Sequence, residues 1–337
     1  MLAEANHEVA VDSVDVSAIG TGQMADSLRL RPTYQRNESG APATFVVKMA
    51  SQDPNSRAAG ERGAYLREVR FYEQLATELP VAVPASMWSA INPDTSDFAL
   101  VLEDMHPATQ GDQIAGSDVD SIRAAAVNIA GLHAPRWGDE SLFDIEWLTS
   151  PRAELVAVRQ ELKAILGMFT PGFIDRYRPR ITAEHIELLN WFAANVDTWM
   201  NDDGGRIGLT HGDHRLDNLL FNPNDGERPV TVVDWQTIAV RNPVADISYL
   251  LGTGVEPEVR REIEHDIVAD YHERLIAHGV RNYDVDTCFD DYRRQTPQAL
   301  LLTVLGSMLT GQTDRGDDMF MAMLHRGSQQ IFDLDVV

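Results

Sequence analysis

The sequence predicts an α+β fold in which strands come first and helices follow. Three observations carry this. Leu28-Arg29-Leu30-Arg31 alternates apolar and basic, residues 35–42 are rich in turn formers, and residues 43–49 read as a second strand. From about Asp118 onward, most apolar positions recur at helical spacing. Residues 209–235 interrupt that regime: short apolar runs flank His211-Gly212-Asp213 and Asn218, and a β-branched run ends in Asp234-Trp235. A strand end, a tight loop and a second strand end would bring Asp213, Asn218 and Asp234 to one edge. An aspartate able to act as base, beside an amide and a second carboxylate, suits holding Mg2+ on phosphate while a hydroxyl is aligned.

The chain has 337 residues, 44% of them hydrophobic, enough for a sizeable core and about two domains. With 28 basic and 52 acidic residues its formal net charge is −24. Such a surface repels polyanions, which disfavours nucleic acid and anionic membrane as partners. It would favour a cationic substrate, although acidity also simply keeps a protein soluble. The single cysteine, Cys288, excludes an internal disulfide and a cysteine metal cluster, and fits a reducing, cytoplasmic setting. The first residues lack the basic-then-apolar pattern of a secretory signal. The longest apolar run, 299–309, is too short to span a bilayer.

Residues 1–18 read as a flexible arm or an edge strand. Gly20 and Gly22, with Thr21 between them, would let backbone N–H groups approach phosphate without a Cβ in the way. A strand rather than a helix follows these glycines, so a dinucleotide-binding fingerprint is excluded. Lys48 lies in the apolar second strand and needs a partner or a route to water. Residues 57–79 carry one helical stripe, stopped by Pro80 and Pro84, with Glu61 and Glu68 on nearly one face. Residues 98–102 form a further strand ending in Glu103-Asp104-Met105. Helices are then expected from Ser117 or Asp118 to His133, from Pro151 through Leu166, and from Thr182 through Trp199. More follow over about 256–278, 286–294, 297–310 and 317–332. His133 reads as a buried, hydrogen-bonded histidine. The aromatic-rich stretches 137–148 and 167–177, taken as joining helices, are candidate substrate walls or ordinary packing. Met319, Met321 and Met323 sit two apart, cannot share one helical face, and read as core filler.

The pattern His211-Gly212-Asp213, Asn218 and Asp234-Trp235 resembles the small-molecule branch of the protein-kinase-like fold. That branch holds the aminoglycoside phosphotransferases and the choline- and ecdysteroid-kinase-like enzymes. The resemblance implies a bilobal fold. Residues 1–105 would be a nucleotide-binding lobe, with an antiparallel sheet, one main helix and the hinge. Residues 106–337 would be a mainly helical lobe carrying the catalytic, metal and substrate sites. It implies ATP and Mg2+ as cofactors and a hydroxylated small molecule as substrate. Asp213 would be the catalytic aspartate, and Asn218 and Asp234 the Mg2+ ligands. Lys48, held by Glu68 rather than Glu61, would orient the α- and β-phosphates. Gly20, Thr21 and Gly22 would cover them, and backbone groups from Leu102 through Glu103 to Met105 would meet the adenine edge. Asp246 would brace the catalytic loop. Gln236 stands where protein kinases have glycine, which argues against a protein substrate. Two other readings compete: a nucleotide-binding homologue that no longer transfers phosphate, and a metal-dependent hydrolase using Asp213, Asp234 and His211. The hydrolase leaves Lys48 and the glycines without a role. The identity of the acceptor and the roles of Arg215 and Asp217 stay open at this level.

Overall fold

The computed structural model describes residues 8–20, 24–148, 155–201, 204–222, 226 and 228–337. The alternating segment at 28–31 lies inside a longer strand, β2 (Ala25–Asn37), which pairs antiparallel with β1 (Val9–Ala18) and with β3 (Phe45–Ala50). Residues 9–18 are therefore an edge strand rather than an arm. With β4 (Ser86–Ile91) and β5 (Phe98–Glu103) these form a five-stranded sheet in the order β1-β2-β3-β5-β4.

The spacing predicts one helix over 57–79, but the structure splits it into α1 (Pro54–Ala59) and α2 (Tyr65–Gln74). Gly63 adopts φ +100°, outside the helical region and accessible at low cost to glycine. Tyr65 opens α2 with its ring packed over Gly60, where even a Cβ would collide with it. The Tyr65 hydroxyl donates to the Met24 carbonyl at 2.6 Å and accepts the Ser51 N–H at 3.2 Å, tying the helix start to the ends of β2 and β3.

Beyond the sheet come α3 (Val119–His133), α4 (Leu155–Tyr177) and α5 (Ala183–Asn201). Two small sheets carry the central motif: β6 (Thr109–Gln110), β8 (Leu219–Phe221) and β9 (Val230–Val232) in one, β7 (Gly208–Thr210) and β10 (Ala239–Arg241) in the other. The chain ends in α6 (Val244–Gly254), α7 (Pro257–Ala277), α8 (Val285–Arg294), α9 (Gln298–Leu309) and α10 (Asp314–Asp333). Residues 167–177 are not a connection, because α4 runs through Pro171. Proline inside a helix forfeits a backbone hydrogen bond. Here Leu166, Phe173, Ile174 and Tyr177 are buried against Leu189, Phe192 and Val196 of α5, and that packing offsets the loss.

One hydrophobic core joins the two halves. It runs from Tyr65, Phe71 and Leu100 beneath the large sheet to Trp235, Leu250 and Tyr271 among the helices. Gly131 of α3 meets the Pro80 backbone so closely that a Cβ would lie 2.6 Å from it. The Val232 N–H donates to the Ala82 carbonyl at 2.9 Å. These contacts fix the sheet over the small strands that bear the motif. Among the described residues, no helix is long and apolar enough to cross a membrane.

Candidate active site

Lys48 projects from β3 toward α2 and the segment after β9. Its ammonium donates to Glu68 Oε1 at 2.7 Å and to Asp234 Oδ1 at 2.9 Å. Burial pushes the lysine pKa down, but the two carboxylates outweigh it and hold it above its ordinary value. Glu68 is pushed up, because burial outweighs Lys48. Asp234 is held low: Lys48 overcomes the burial that would raise it. Glu68 also accepts the Trp235 N–H at 3.3 Å and Gln236 Nε2 at 3.0 Å, while Arg67 Nε donates to the Gln236 carbonyl at 2.9 Å. Phe71 stacks on Trp235 with centroids 3.7 Å apart and planes 10° apart. Asp234 itself sits in the left-handed region at φ +68°, a conformation that costs a non-glycine residue free energy and is held here by this packing. Glu61 is elsewhere, paired with Arg57 at 3.0 Å.

The loop after β7 is fixed by a buried carboxylate. Asp246, near the start of α6, accepts the His211 N–H at 2.6 Å, the Gly212 N–H at 2.9 Å and His133 Nε2 at 3.1 Å. Burial would raise its pKa, but His133 and the neighbouring His214 and His211 outweigh it and hold it low. His133, fully buried, closes the chain of bonds through its Nδ1 on the Tyr271 hydroxyl at 2.8 Å. His211 Nε2 meets the Val233 carbonyl at 3.1 Å, and its Nδ1 accepts the Asp213 N–H at 3.3 Å. Both bonds form together only in the Nε2–H tautomer. Gly212 turns at φ +85°, and a Cβ there would lie 2.4 Å from the Thr237 carbonyl oxygen.

This orientation delivers Asp213 to the cleft. Its Oδ1 accepts the Tyr249 hydroxyl at 3.1 Å, and its Oδ2 accepts Arg215 Nε at 3.1 Å and Asn218 Nδ2 at 3.0 Å. Asn218 Nδ2 also donates to the Asp213 carbonyl at 2.8 Å, so its amide oxygen is the end left facing the cleft. The Val233 N–H donates to the Asn218 carbonyl at 3.0 Å, which places Asn218 beside the segment bearing Asp234. Asp213, Asn218 and Asp234 thus line one cleft with Lys48 and Glu68. The Asn218 amide oxygen and Asp234 Oδ2 have no hydrogen-bond partner among the described residues. Two unengaged hard oxygens would suit a hard divalent cation such as Mg2+.

The cleft has a volume of about 620 Å3, within the range of small-molecule sites. Gly20, at φ +75°, lines it from the end of β1, and the Ile19 N–H bonds the Ser27 carbonyl at 2.9 Å. Thr21 and Gly22 lie outside the described residues. Glu103 and Met105 both line it, but only part of this hinge backbone is open. The Glu103 N–H is taken by the Ala85 carbonyl, and the Met105 carbonyl accepts the Ala108 N–H, each at 2.8 Å. The Met105 N–H has no partner among the described residues. Asp104 forms a two-point ion pair with Arg29 of β2, at 2.7 and 2.9 Å, fixing the hinge to the sheet.

Several lining residues carry no recognisable mark in the sequence. Tyr249 falls one helical turn after Asp246, so the helix that braces the loop also offers a hydroxyl to Asp213. Arg215 spans Asp213 and Asp217, and Arg315 from α10 grips Asp217 at 3.0 and 3.1 Å. The two aromatic-rich stretches do not form a wall. Leu142, Leu148, Phe173 and Tyr177 are buried in the core, and Trp137 packs on Tyr283. On that side the cleft is lined by α9 and α10 instead. Met319 and Met323, four apart and so on one face, are buried core side chains, in line with the sequence reading, and also border the cleft, with the half-buried Met321 packed against the same cluster.

His214 is fully buried, and among the described residues its ring has no side-chain hydrogen-bond partner, only the Ala125 backbone nearby. Burial pushes its pKa down to about 3. An unfolded chain takes up this proton near pH 6.5, so stability is full above that pH and falls as the pH drops toward 3. Asp246 adds a loss in the same direction, below the usual carboxylate range. From pH 7.5 to pH 5 the His214 contribution alone is expected to cost about 2 kcal/mol. His214→Phe, which removes the titrating group, should remove most of that loss. Urea unfolding at the two pH values measures it; equal losses in both proteins would show that His214 does not set the acid limit.

A five-stranded sheet and its helix, set over a helical body with a lysine–glutamate pair at the junction, define a kinase-like α+β protein. The chain belongs to the phosphotransferase enzyme family, whose sequence profile matches residues 25–284. Solved structures agree in fold. An aminoglycoside 2'-phosphotransferase-IIIa, solved with GDP, superposes with a TM-score of 0.55 at 15% identity, over 97% of this chain and 95% of that one. An ethanolamine kinase of Plasmodium vivax gives 0.56 at 11% identity, over 94% of this chain and 82% of that one. A curated relative, a probable acyl-CoA dehydrogenase (IBR3) of Arabidopsis thaliana, is 32% identical over 108 residues. That match covers 29% of this chain and only 13% of the relative.

Proposed function

We propose that this chain is an ATP- and Mg2+-dependent phosphotransferase that phosphorylates a hydroxyl group of a small molecule. The observation that carries the reading is the Lys48 ammonium. It comes from the sheet and lies 2.7 Å from Glu68 and 2.9 Å from Asp234, beside Asp213 and Asn218. In this reading Lys48 hands its Asp234 contact over to the α- and β-phosphates and keeps Glu68. Gly20, which lines the cleft, faces the phosphates. The Met105 N–H meets the adenine edge, with Glu103 beside it. Asn218 and Asp234 hold Mg2+, which offsets charge on the transferred phosphoryl group when bound. Asp213 aligns the acceptor hydroxyl and takes its proton late, since a loose transition state asks little early deprotonation. Positioning supplies most of the acceleration. A homologue that had lost transfer would lack the lysine, the aspartate or a metal ligand, and all of them face this cleft.

The dehydrogenase name of the curated relatives belongs to proteins of which the match covers 13% or less, and it is not carried over. A cytoplasmic setting, where ATP is plentiful, goes with the proposal. The test is nucleotide binding by calorimetry, comparing ATP with GTP, followed by ADP release across a panel of hydroxylated compounds. Acceptor-dependent ADP release that stops on chelation with EDTA and returns with Mg2+ is expected. Turnover of any acceptor without nucleotide would overturn the reading in favour of a hydrolase.

A further inference from the structure

We propose that the acceptor is an alcohol with an elongated, uncharged apolar body lying along the α9–α10 wall, and not a polycation. This rests on the phosphotransferase reading and narrows its substrate. Leu302, Leu305, Gly306 and Leu309 recur at i, i+3, i+4 and i+7 on α9, and all four line the cleft. Met319, Phe320 and Met323 of α10 line it from the other side. The two helices meet at Gly306, where a Cβ would lie 2.8 Å from the Phe320 ring. The stripe is continuous with the site: Met319 Sδ accepts a hydrogen bond from Arg215 Nη1 at 3.2 Å, and Arg215 holds Asp213. Leu302 and Leu305 are half-buried against the neighbouring helices and Leu309 is exposed, so the face they turn to the cleft leaves apolar area that a ligand can cover. Methionine side chains adapt to a chain of variable shape.

The charges on this side argue against a cationic ligand. Its two carboxylates, Asp213 and Asp217, are matched by two guanidinium groups, Arg215 and Arg315. Deeper in, Glu68 and Asp234 share Lys48, and Asp104 pairs with Arg29. A polyamine substrate needs carboxylates without cationic partners, and entry here would set its ammonium groups beside Arg215 and Arg315. The formal charge of −24 is therefore carried elsewhere on the molecule. Seven residues of helix span about 10 Å, room for an alkyl chain of roughly eight carbons.

The experiment uses the full chain with MgATP and straight-chain 1-alkanols and 2-alkanols of four to ten carbons. Kanamycin and ethanolamine serve as cationic probes. ADP release gives kcat/KM, and calorimetry with a non-hydrolysable ATP analogue present gives the alcohol dissociation constants. Affinity is expected to rise about three- to fourfold per methylene up to roughly eight carbons and then level off. Leu305→Gln should weaken octanol binding about tenfold or more, whereas Val156→Gln, on the exposed surface of α4, should leave it unchanged. A flat chain-length profile, no alkanol binding to the ATP-loaded protein, or turnover of kanamycin or ethanolamine would overturn this inference alone. Failure to bind MgATP at all would instead sink the phosphotransferase reading beneath it.

Discussion

Asp213→Asn is expected to lower acceptor-dependent turnover about a thousandfold while ATP affinity stays within about twofold. The substitution suits the question because the loop can keep its shape. Three donors, from Tyr249, Arg215 and Asn218, converge on the two Asp213 oxygens. An asparagine offers its one oxygen to Arg215 and Asn218 and turns its NH2 toward Tyr249, whose hydroxyl rotates to accept. Arg215 keeps Asp217 as its ion-pair partner at 2.8 Å. What the variant lacks is a second lone-pair-bearing oxygen for the acceptor hydroxyl and a group able to take its proton. ADP release under saturating acceptor measures the loss, and calorimetry measures the nucleotide. If kcat falls less than tenfold, Asp213 is not the residue that aligns and deprotonates the acceptor.

The parts of this site that were legible in the sequence are those that local chemistry fixes. His211-Gly212-Asp213 must turn at Gly212, because a side chain there would meet Thr237. Asn218 opens the short apolar run 219–221 and Asp234 follows the run 230–233, so both fall at strand ends and at one edge. Lys48 in an apolar strand demanded a carboxylate, and Glu68 on the buried stripe of α2 was placed to supply it. The acceptor wall was not legible for a different reason. The run 299–309 is apolar apart from Thr303, Gly306 and Ser307, and its two polar side chains are themselves buried, so periodicity does not say which leucines meet the core and which meet a ligand. The aromatics at 137–148 and 167–177 drew attention because large rings often line pockets, yet burial against α5 and the core claims most of them. Arg215 and Arg315 meet across Asp217 from positions 100 residues apart, a coupling that no local pattern records. The kink at Gly63 was likewise hidden, since the stripe of apolar residues continues across it.

Replacing Lys48 separates its structural from its functional part. Lys48→Met is expected to lower turnover at least a hundredfold, since the positive charge on the phosphates is gone. It should also cost about 3 kcal/mol of stability. The stability loss does not come from the missing lysine contacts alone. Glu68 is only 1% exposed and its pKa is already raised by burial, so without the ammonium it is left as an uncompensated charge or takes up a proton. The Trp235 N–H and Gln236 Nε2 still point at it, and an uncharged amide oxygen would satisfy them. Lys48→Met with Glu68→Gln should therefore regain more than half of the lost stability in urea unfolding while turnover stays as low as in the single variant. A double variant that is as unstable as Lys48→Met would mean that burial of the Glu68 charge is not what the lysine offsets. A double variant that recovers turnover would mean that the ammonium serves the fold and not the phosphates, and the site would then have to find its charge neutralisation in another cation that lines the cleft, such as Arg62 or Arg67.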